Sequence, residues 1–181
     1  MARFGLTLSN RGVNLGLTTS DEILDMAERA DAAGVFEHVW VGDQIMAKPR
    51  MESITLMAGI AARTRHVKIG PACMASFPSR HPVLLAYQWA SLDILSNGRT
   101  IMGACMGVPE SQNLARIEQF NMGISNRERG PALKRASRFF ASCGLRKAWT
   151  TKAGSTPSKR RSCSPSRCRA HRRFGSLAIP V

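Results

Sequence analysis

The second part of this chain contains no acidic residue. Positions 131–181 carry 13 lysines and arginines but neither aspartate nor glutamate, whereas positions 1–130 carry 13 basic and 12 acidic residues. Natural globular segments carry both signs of charge, on about a quarter of their residues. The formal net charge of +14 therefore belongs to one part of the chain. We expect a folded domain over 1–130 and a basic, low-complexity, mostly disordered tail over 131–181.

Several other patterns are missing. No run approaches the ~20 apolar residues of a membrane helix, and the start MARFGLTLSN lacks the features of a secretory signal. Neither a G-x-G-x-x-G motif nor a P-loop lysine pattern occurs. The five cysteines are odd in number, and Cys73 and Cys105 lie in apolar runs where reduced, buried side chains are expected. These absences predict a soluble cytoplasmic protein without a membrane partner.

Helix-like and strand-like segments alternate along residues 1–130. In the first helix Ser20 is the expected N-cap, and Ile23, Leu24, Ala27 and Ala30 have the spacing of one apolar face. The full prediction is strands at 2–8, 38–42, 66–72 and 99–107, with helices at 18–34, 51–64 and 82–96. This order predicts an α/β fold with a parallel sheet covered by helices. A doubly wound sheet and a (β/α)8 barrel both fit it.

Both architectures bind ligands at the carboxyl ends of their strands. Asp43 comes directly after a strand, where it could accept a hydrogen bond from a ligand or be a loop aspartate satisfied by backbone amides. The small residues from 103 to 107 would let a flat ring approach the backbone, or would serve tight packing. His66 is expected at the surface, and neither His66 nor His81 has a partner at metal-ligand spacing. No metal site is expected.

Residues 2 to about 130 resemble the bacterial luciferase-like family of flavin-dependent oxidoreductases. The resemblance rests on four motifs: VWVGD (39–43), LxAxxAxRTxxVxxG (56–70), RHPVLLA (80–86) and LDxLSxGRxxxG (92–103). It implies the N-terminal four βα units of a TIM-type (β/α)8 barrel. It also implies a cofactor, FMN or the deazaflavin coenzyme F420, and hydride or oxygen transfer to a small organic substrate.

The resemblance also implies which residues meet the cofactor. The positions that would bind it are Asp43, Ala72, Cys73, Ala75, Met106 and Gly107. Asp43 would bond the edge of the ring, and Ala72-Cys73 would form a bulge, often with a cis peptide bond, that backs the ring. Gln44 stands where many members have a histidine that acts as acid or base. An amide cannot transfer a proton at neutral pH, so the catalytic residue stays unassigned.

The basic tail has three interpretations. The first is a change of reading frame near Gly130-Pro131, because a one-base shift permits an acidic helix, an aromatic hairpin and an apolar strand, the order in which the family continues. The second is a nucleic-acid-binding arm, which the Arg/Ser content favours. The third is a zinc site of Cys163, Cys168 and His171 with Cys143, whose spacing fits no common ligand pattern.

The frame change is the preferred interpretation. It makes the chain a truncated oxidoreductase in which the first and fourth strands have unpaired edges and the apolar inner face of the barrel is open. We then expect little or no activity, weak flavin binding, and aggregation or formation of a homodimer. Nucleic acid is not an expected partner under this interpretation.

Overall fold

The computed structural model describes residues 4–107, 113–142 and 149–151. Its strands are Phe4–Leu8 (β1), Phe36–Asp43 (β2), Lys68–Met74 (β3), Met102–Ala104 (β4) and Trp149–Thr151 (β5). Its α-helices are Arg11–Asn14 (α1), Ser20–Ala33 (α2), Ser53–Arg63 (α3), Pro82–Leu95 (α4), Asn113–Asn121 (α5) and Asn126–Ser142 (α6), and Phe77–Ser79 form a 3₁₀ turn. The strands lie in chain order in one parallel sheet. The predicted alternating α/β fold is confirmed.

One face of the sheet packs against the helices. The fully buried side chains there include Val39, Val41, Ile69, Ile23, Met57, Ile60, Leu85 and Trp89. The apolar face predicted for the first helix is confirmed, since it is buried in α2. The predicted cap is wrong by one position: Thr19 is the N-cap, and its Oγ1 accepts the N–H of Glu22 while Glu22 Oε2 accepts the N–H of Thr19. Ser20 begins the helix instead, because this reciprocal capping box fixes the entry.

Arg99 ties the end of α3 to the start of β3. Its guanidinium donates to the carbonyl oxygens of Ala61, Thr64 and Val67 at 2.7–3.1 Å. The arginine follows Asn97 and Gly98, which have φ angles of 59° and 76° and turn the chain after α4. The SNGR segment therefore places a cation where helix carbonyls have no partner within the helix.

Asp31 satisfies the backbone at the entry to β3. Its carboxylate accepts the N–H groups of Arg65, His66 and Val67 at 2.7–2.8 Å. Burial of the carboxyl acts to raise the pKa of Asp31, but these bonds outweigh it and the pKa is lowered. His66 itself is exposed, as expected.

Asp31 should make stability depend on pH in the acid range. Because its folded pKa lies below the unfolded value, its contribution is present above about pH 4 and is lost as pH falls through the folded pKa. Urea unfolding at a series of pH values should therefore show a shallower acid slope in Asp31→Asn than in the unchanged chain. The matched control is Asp21→Asn, whose side chain is 80% exposed. An equal slope in all three proteins would contradict this role.

Helix α6 crosses the point at which the composition changes. It runs through position 130 with Pro131 inside it, and Ala136 and Phe140 are buried in the core. The Phe140 ring lies 5.6 Å from that of Phe77. The sequence is compatible with a short helix over 131–148, and a helix is present as far as Ser142. Strand β5 and helices α1 and α5 were not predicted. Of the tail expected to be mostly disordered over 131–181, residues 131–142 are helical and 149–151 form a strand, and the rest lies outside the described residues.

Candidate functional site

A bulge interrupts the pairing of β2 and β3 near their carboxyl ends. Val41 pairs with Pro71 and Asp43 pairs with Met74, so Ala72 and Cys73 together oppose the single residue Gly42. Both bulge residues are exposed. The bulge lies where the resemblance implies one. The cis bond implied for it does not occur, since every peptide bond in the described part of the chain is trans.

The cysteine prediction is wrong. Cys73 is exposed and is joined by a disulfide to Cys105, with a Cα–Cα distance of 5.9 Å. The pairing of Met74 with Ala104 brings the two cysteines together, because each cysteine is the chain neighbour of one member of that pair. The disulfide therefore fastens the β3 bulge to the end of β4, directly on the surface where the strand ends meet.

Reduction of this disulfide should destabilise the chain. A bond that closes a 32-residue separation is worth about 3–4 kcal/mol by the loop-entropy argument. We expect the melting temperature to fall on addition of a dithiol reductant and to be low, without further change, in Cys73→Ser. The control Cys143→Ser should respond to reductant as the unchanged chain does. Peptide mapping that finds both thiols free in the oxidised protein would contradict the bond.

The residues after β4 close one side of the surface. Gly107 has a φ of 74°, and a β-carbon on it would lie 2.6 Å from the carbonyl oxygen of Ala75 and 2.6 Å from Arg129 Nη2. Only glycine combines this backbone conformation with so little space. Met106 is 54% exposed beside it. Three of the predicted cofactor positions are thus neighbours at one edge of this surface, namely Ala75, Met106 and Gly107.

The side chain of Asp43 points away from this exposed surface. Its side chain follows the buried positions Val39 and Val41 in the strand alternation and is 1% exposed. Oδ1 accepts the hydroxyl of Ser53 at 2.6 Å, and Oδ2 accepts both the N–H and the hydroxyl of Ser76 at 2.8 and 2.7 Å. Arg80 Nη2 lies 3.4 Å from Oδ1. Contact with a ring edge remains a prediction, and it would require some of these bonds to open.

Gln44 and Arg50 lie at the end of β2. Arg50 Nη2 donates to Gln44 Oε1 over 3.4 Å. Burial lowers the pKa of the Arg50 guanidinium, and the charge of Asp43 acts in the opposite direction. The sequence did not predict Arg50 or the partners of Asp43, which are Ser53, Ser76 and Arg80. For the partners the strand alternation was an available signal, whereas nothing in the loop sequence marked Arg50.

Mostly small residues form the exposed surface at the carboxyl ends of β3 and β4. It consists of the bulge residues, the Cys73–Cys105 disulfide, Met106 and Gly107. Such a surface allows an aromatic ring system to lie close to the backbone. No group of three or more His, Cys, Asp or Glu residues that could hold a metal ion is found in the described ranges. Within those ranges, too, no helix has both the length and the apolarity needed to cross a bilayer.

The fold and this surface define a class. A parallel sheet in chain order, covered by helices and carrying its candidate site at the carboxyl ends of the strands, is the first part of a TIM-type barrel. The family model for luciferase-like monooxygenases matches residues 1–134. The chain belongs to that family.

Individual relatives agree with this assignment. The chain is 38% identical over 90 residues to limonene 1,2-monooxygenase of Rhodococcus erythropolis, covering 46% of this chain and 22% of the relative. It is 29% identical over 137 residues to F420-dependent glucose-6-phosphate dehydrogenase of Amycolatopsis mediterranei, covering 72% of this chain and 38% of the relative. These matches span well under half the length of the curated relatives.

Solved structures share the fold. The FMN complex of the oxygenating constituent of 3,6-diketocamphane monooxygenase from Pseudomonas putida superimposes with a TM-score of 0.58 at 19% identity. That match covers 77% of this chain and 38% of the solved chain. The proteins similar to this chain thus include an F420-dependent dehydrogenase and, in fold alone, a monooxygenase solved in complex with FMN.

Proposed function

We propose that residues 1–130 form the ring-binding part of a flavin-dependent oxidoreductase or monooxygenase that acts on a small organic molecule. The observation that carries the proposal is the surface formed by the β3 bulge, the disulfide and Gly107 at the ends of β3 and β4. A bound FMN or coenzyme F420 would supply the hydride or oxygen chemistry. Family membership and the cofactors of the relatives support this choice.

The chain's own residues would position the ring. Ala72 and Cys73 would lie under one face, while Ala75, Met106 and Gly107 would border it. The disulfide would hold the bulge at a fixed distance from β4. Asp43 would bond the ring edge if its contacts with Ser53 and Ser76 open. These residues would bind and orient the ring, and the catalytic residue stays unassigned.

Ring binding should be weak and should depend on Gly107. We expect the purified full chain to quench the fluorescence of FMN or F420 with a Kd above the micromolar range. Gly107→Ala should weaken binding by about tenfold, because its β-carbon would intrude between Ala75 and Arg129. Gly123→Ala is the matched control, since Gly123 also has a positive φ but a β-carbon there would meet no atom within 4 Å. If neither FMN nor F420 binds at millimolar concentration, the proposed site is refuted.

The proposal includes impaired activity. The change in composition after residue 130 is best explained by a change of reading frame, which would remove the later strands of the barrel. Little or no turnover is expected. The nucleotide sequence past codon 130, read in three frames, tests this directly, and stop codons in the shifted frame would refute it. Submicromolar flavin affinity together with turnover would refute the impairment.

A phosphate-binding role for residues 131–181 is the second candidate. Lys134, Arg135 and Arg138 lie on α6, whose residues Ala136 and Phe140 are buried. A basic helix of this kind can bind nucleic acid non-specifically. Binding to duplex DNA that falls with salt, and that is lost together with cellular function on deletion of 131–181, would favour this role over the flavin site.

Self-association and compartment complete the proposal. Leu84, Tyr87, Ile94 and Leu95 of α4 are each more than half exposed, and apolar exposure on this scale favours contact with another chain. A homodimer should appear by light scattering. We place the chain in the cytoplasm, where reduction of the Cys73–Cys105 bond would release the β3 bulge from β4.

A further inference from the structure

Arg50 lies across the open face of the sheet at the end of β2. A β-carbon on Gly42 would be 3.0 Å from Arg50 Cζ and closer still to Nη1. Gly42 alternates with the buried Val41 and Asp43, so it faces away from the helices. The guanidinium therefore occupies the space above Gly42, next to the bulge that Gly42 opposes.

This cation has no anionic partner among the described residues. Its one hydrogen bond there is the long contact to the neutral amide of Gln44 at 3.4 Å. Arg50 Nε is buried and has no acceptor in the described ranges. Two other half-buried arginines differ: Arg80 is paired with Glu52, and Arg99 donates to backbone carbonyls.

The two nearest acids are engaged elsewhere. Asp43 accepts hydrogen bonds from Ser53 and Ser76, and Glu118 Oε2 accepts the N–H groups of Met46 and Ala47 at 2.9 and 2.7 Å. Arg11 adds a second positive charge close enough to act on Arg50. A half-buried guanidinium without a paired anion is costly to keep, and an anion bound at its Nη groups would offset the cost of the unpaired charge.

We propose that Arg50, held by Gln44, is the anion anchor of the site and selects a carboxylate on the small organic substrate. A guanidinium fork binds two coplanar oxygens through parallel N–H groups, which suits a carboxylate and also a phosphate. The carboxylate would bind over Gly42 and leave the rest of the substrate next to the ring proposed to lie on Ala72-Cys73. The substrate class rests on the proposed function, whereas the anion site itself does not.

The test measures binding to the full chain without flavin, by calorimetry at constant ionic strength. The probes are benzoate, its neutral analogue benzamide, and inorganic phosphate. Benzoate should bind with a millimolar Kd, and benzamide should bind at least about tenfold more weakly, which reflects one charge-assisted hydrogen bond. Arg50→Gln should weaken benzoate by about tenfold or more, and Arg11→Gln, the matched loss of a neighbouring charge, by less than about threefold.

Further variants keep the test decisive. Arg50→Lys keeps the positive charge but loses the planar, two-pronged guanidinium, so it should bind benzoate several-fold more weakly than the unchanged chain. This comparison remains available if Arg50→Gln fails to fold. Equal binding of benzoate and benzamide, or unchanged binding in both Arg50 variants, overturns the proposal. If phosphate binds and benzoate does not, the proposed substrate carboxylate is refuted. The site would then fit the phosphate group of a cofactor instead.

A parallel titration with FMN separates the two proposals. Benzoate binding that depends on Arg50 in a chain that binds neither FMN nor F420 would leave the anion site standing and remove the proposed function. FMN binding without any binding of benzoate would leave the proposed function standing and remove the anion site.

Discussion

Gly70→Ala should lower the free energy of unfolding by about 3 kcal/mol. A β-carbon at Gly70 would overlap the carbonyl oxygen of Ile101 and lie 3.1 Å from Trp40 Cζ3. The obstacle on one side is backbone, which cannot move without disturbing the hydrogen bond from Ile101 N to Ile69 O at 2.8 Å. The pairing of β3 with β4 would be disrupted, and the candidate surface at the ends of these strands depends on that pairing.

Urea unfolding followed by tryptophan fluorescence measures this effect. The matched control is Gly59→Ala in α3, where the β-carbon would meet the flexible end of Leu24 at 3.1 Å. That substitution exchanges glycine for the best helix former, a gain of up to about 1 kcal/mol, so it should be neutral or mildly stabilising. Equal stability of the two variants would show that β3 and β4 are not as close as described.

Asp43→Ala should cost a similar amount, about 3 kcal/mol. It would leave the N–H and the hydroxyl of Ser76 without their acceptor, at about 1–3 kcal/mol for each buried group, and the hydroxyl of Ser53 with only the long 3.4 Å contact to Glu52 Oε1. Arg80 would keep its bond to Glu52 at 2.7 Å, so no unpaired charge is created. The 3₁₀ turn after β3 and the start of α3 would both lose their attachment to β2.

Asp25→Ala is the control for this prediction. Asp25 is 56% exposed and paired with Arg63, and an ion pair of that kind is worth less than about 1 kcal/mol. Chemical denaturation compares the three proteins. Asp43→Asn then separates the structural role from the ring contact, since weakened flavin affinity in folded protein would support the contact. A loss in Asp43→Ala no larger than that of the control would contradict the buried network.

Most of the fold could be predicted from sequence because its signals are local. The apolar stripe of α2, the β-branched run of β2 and the SNGR turn each lie within a few residues of one another. Helix α6 was harder, because its buried Ala136 and Phe140 lie in a segment whose composition suggested a tail. In α6, packing of these two side chains against the core stabilises a helix that the composition of the segment did not predict.

The candidate site was predictable in position but not in contacts. Strand ends and motifs located Asp43, the bulge and Gly107 along the chain. They did not show that Asp43 is turned toward Ser53 and Ser76, although its alternation with Val39 and Val41 contained that information. Arg50 was not predictable, since its position over Gly42 depends on how the β2–α3 loop folds back.

The sequence by itself determined the alternation of strands β1–β4 with helices α2–α4 and the family, because periodicity and motifs are properties of neighbouring residues. Only the tertiary structure decided that Cys73 is bonded to Cys105 and that Arg50 lies over Gly42 without an anionic partner in the described ranges. These contacts join residues that the chain keeps apart. They depend on strand register and loop path, which are set when the sheet packs against its helices.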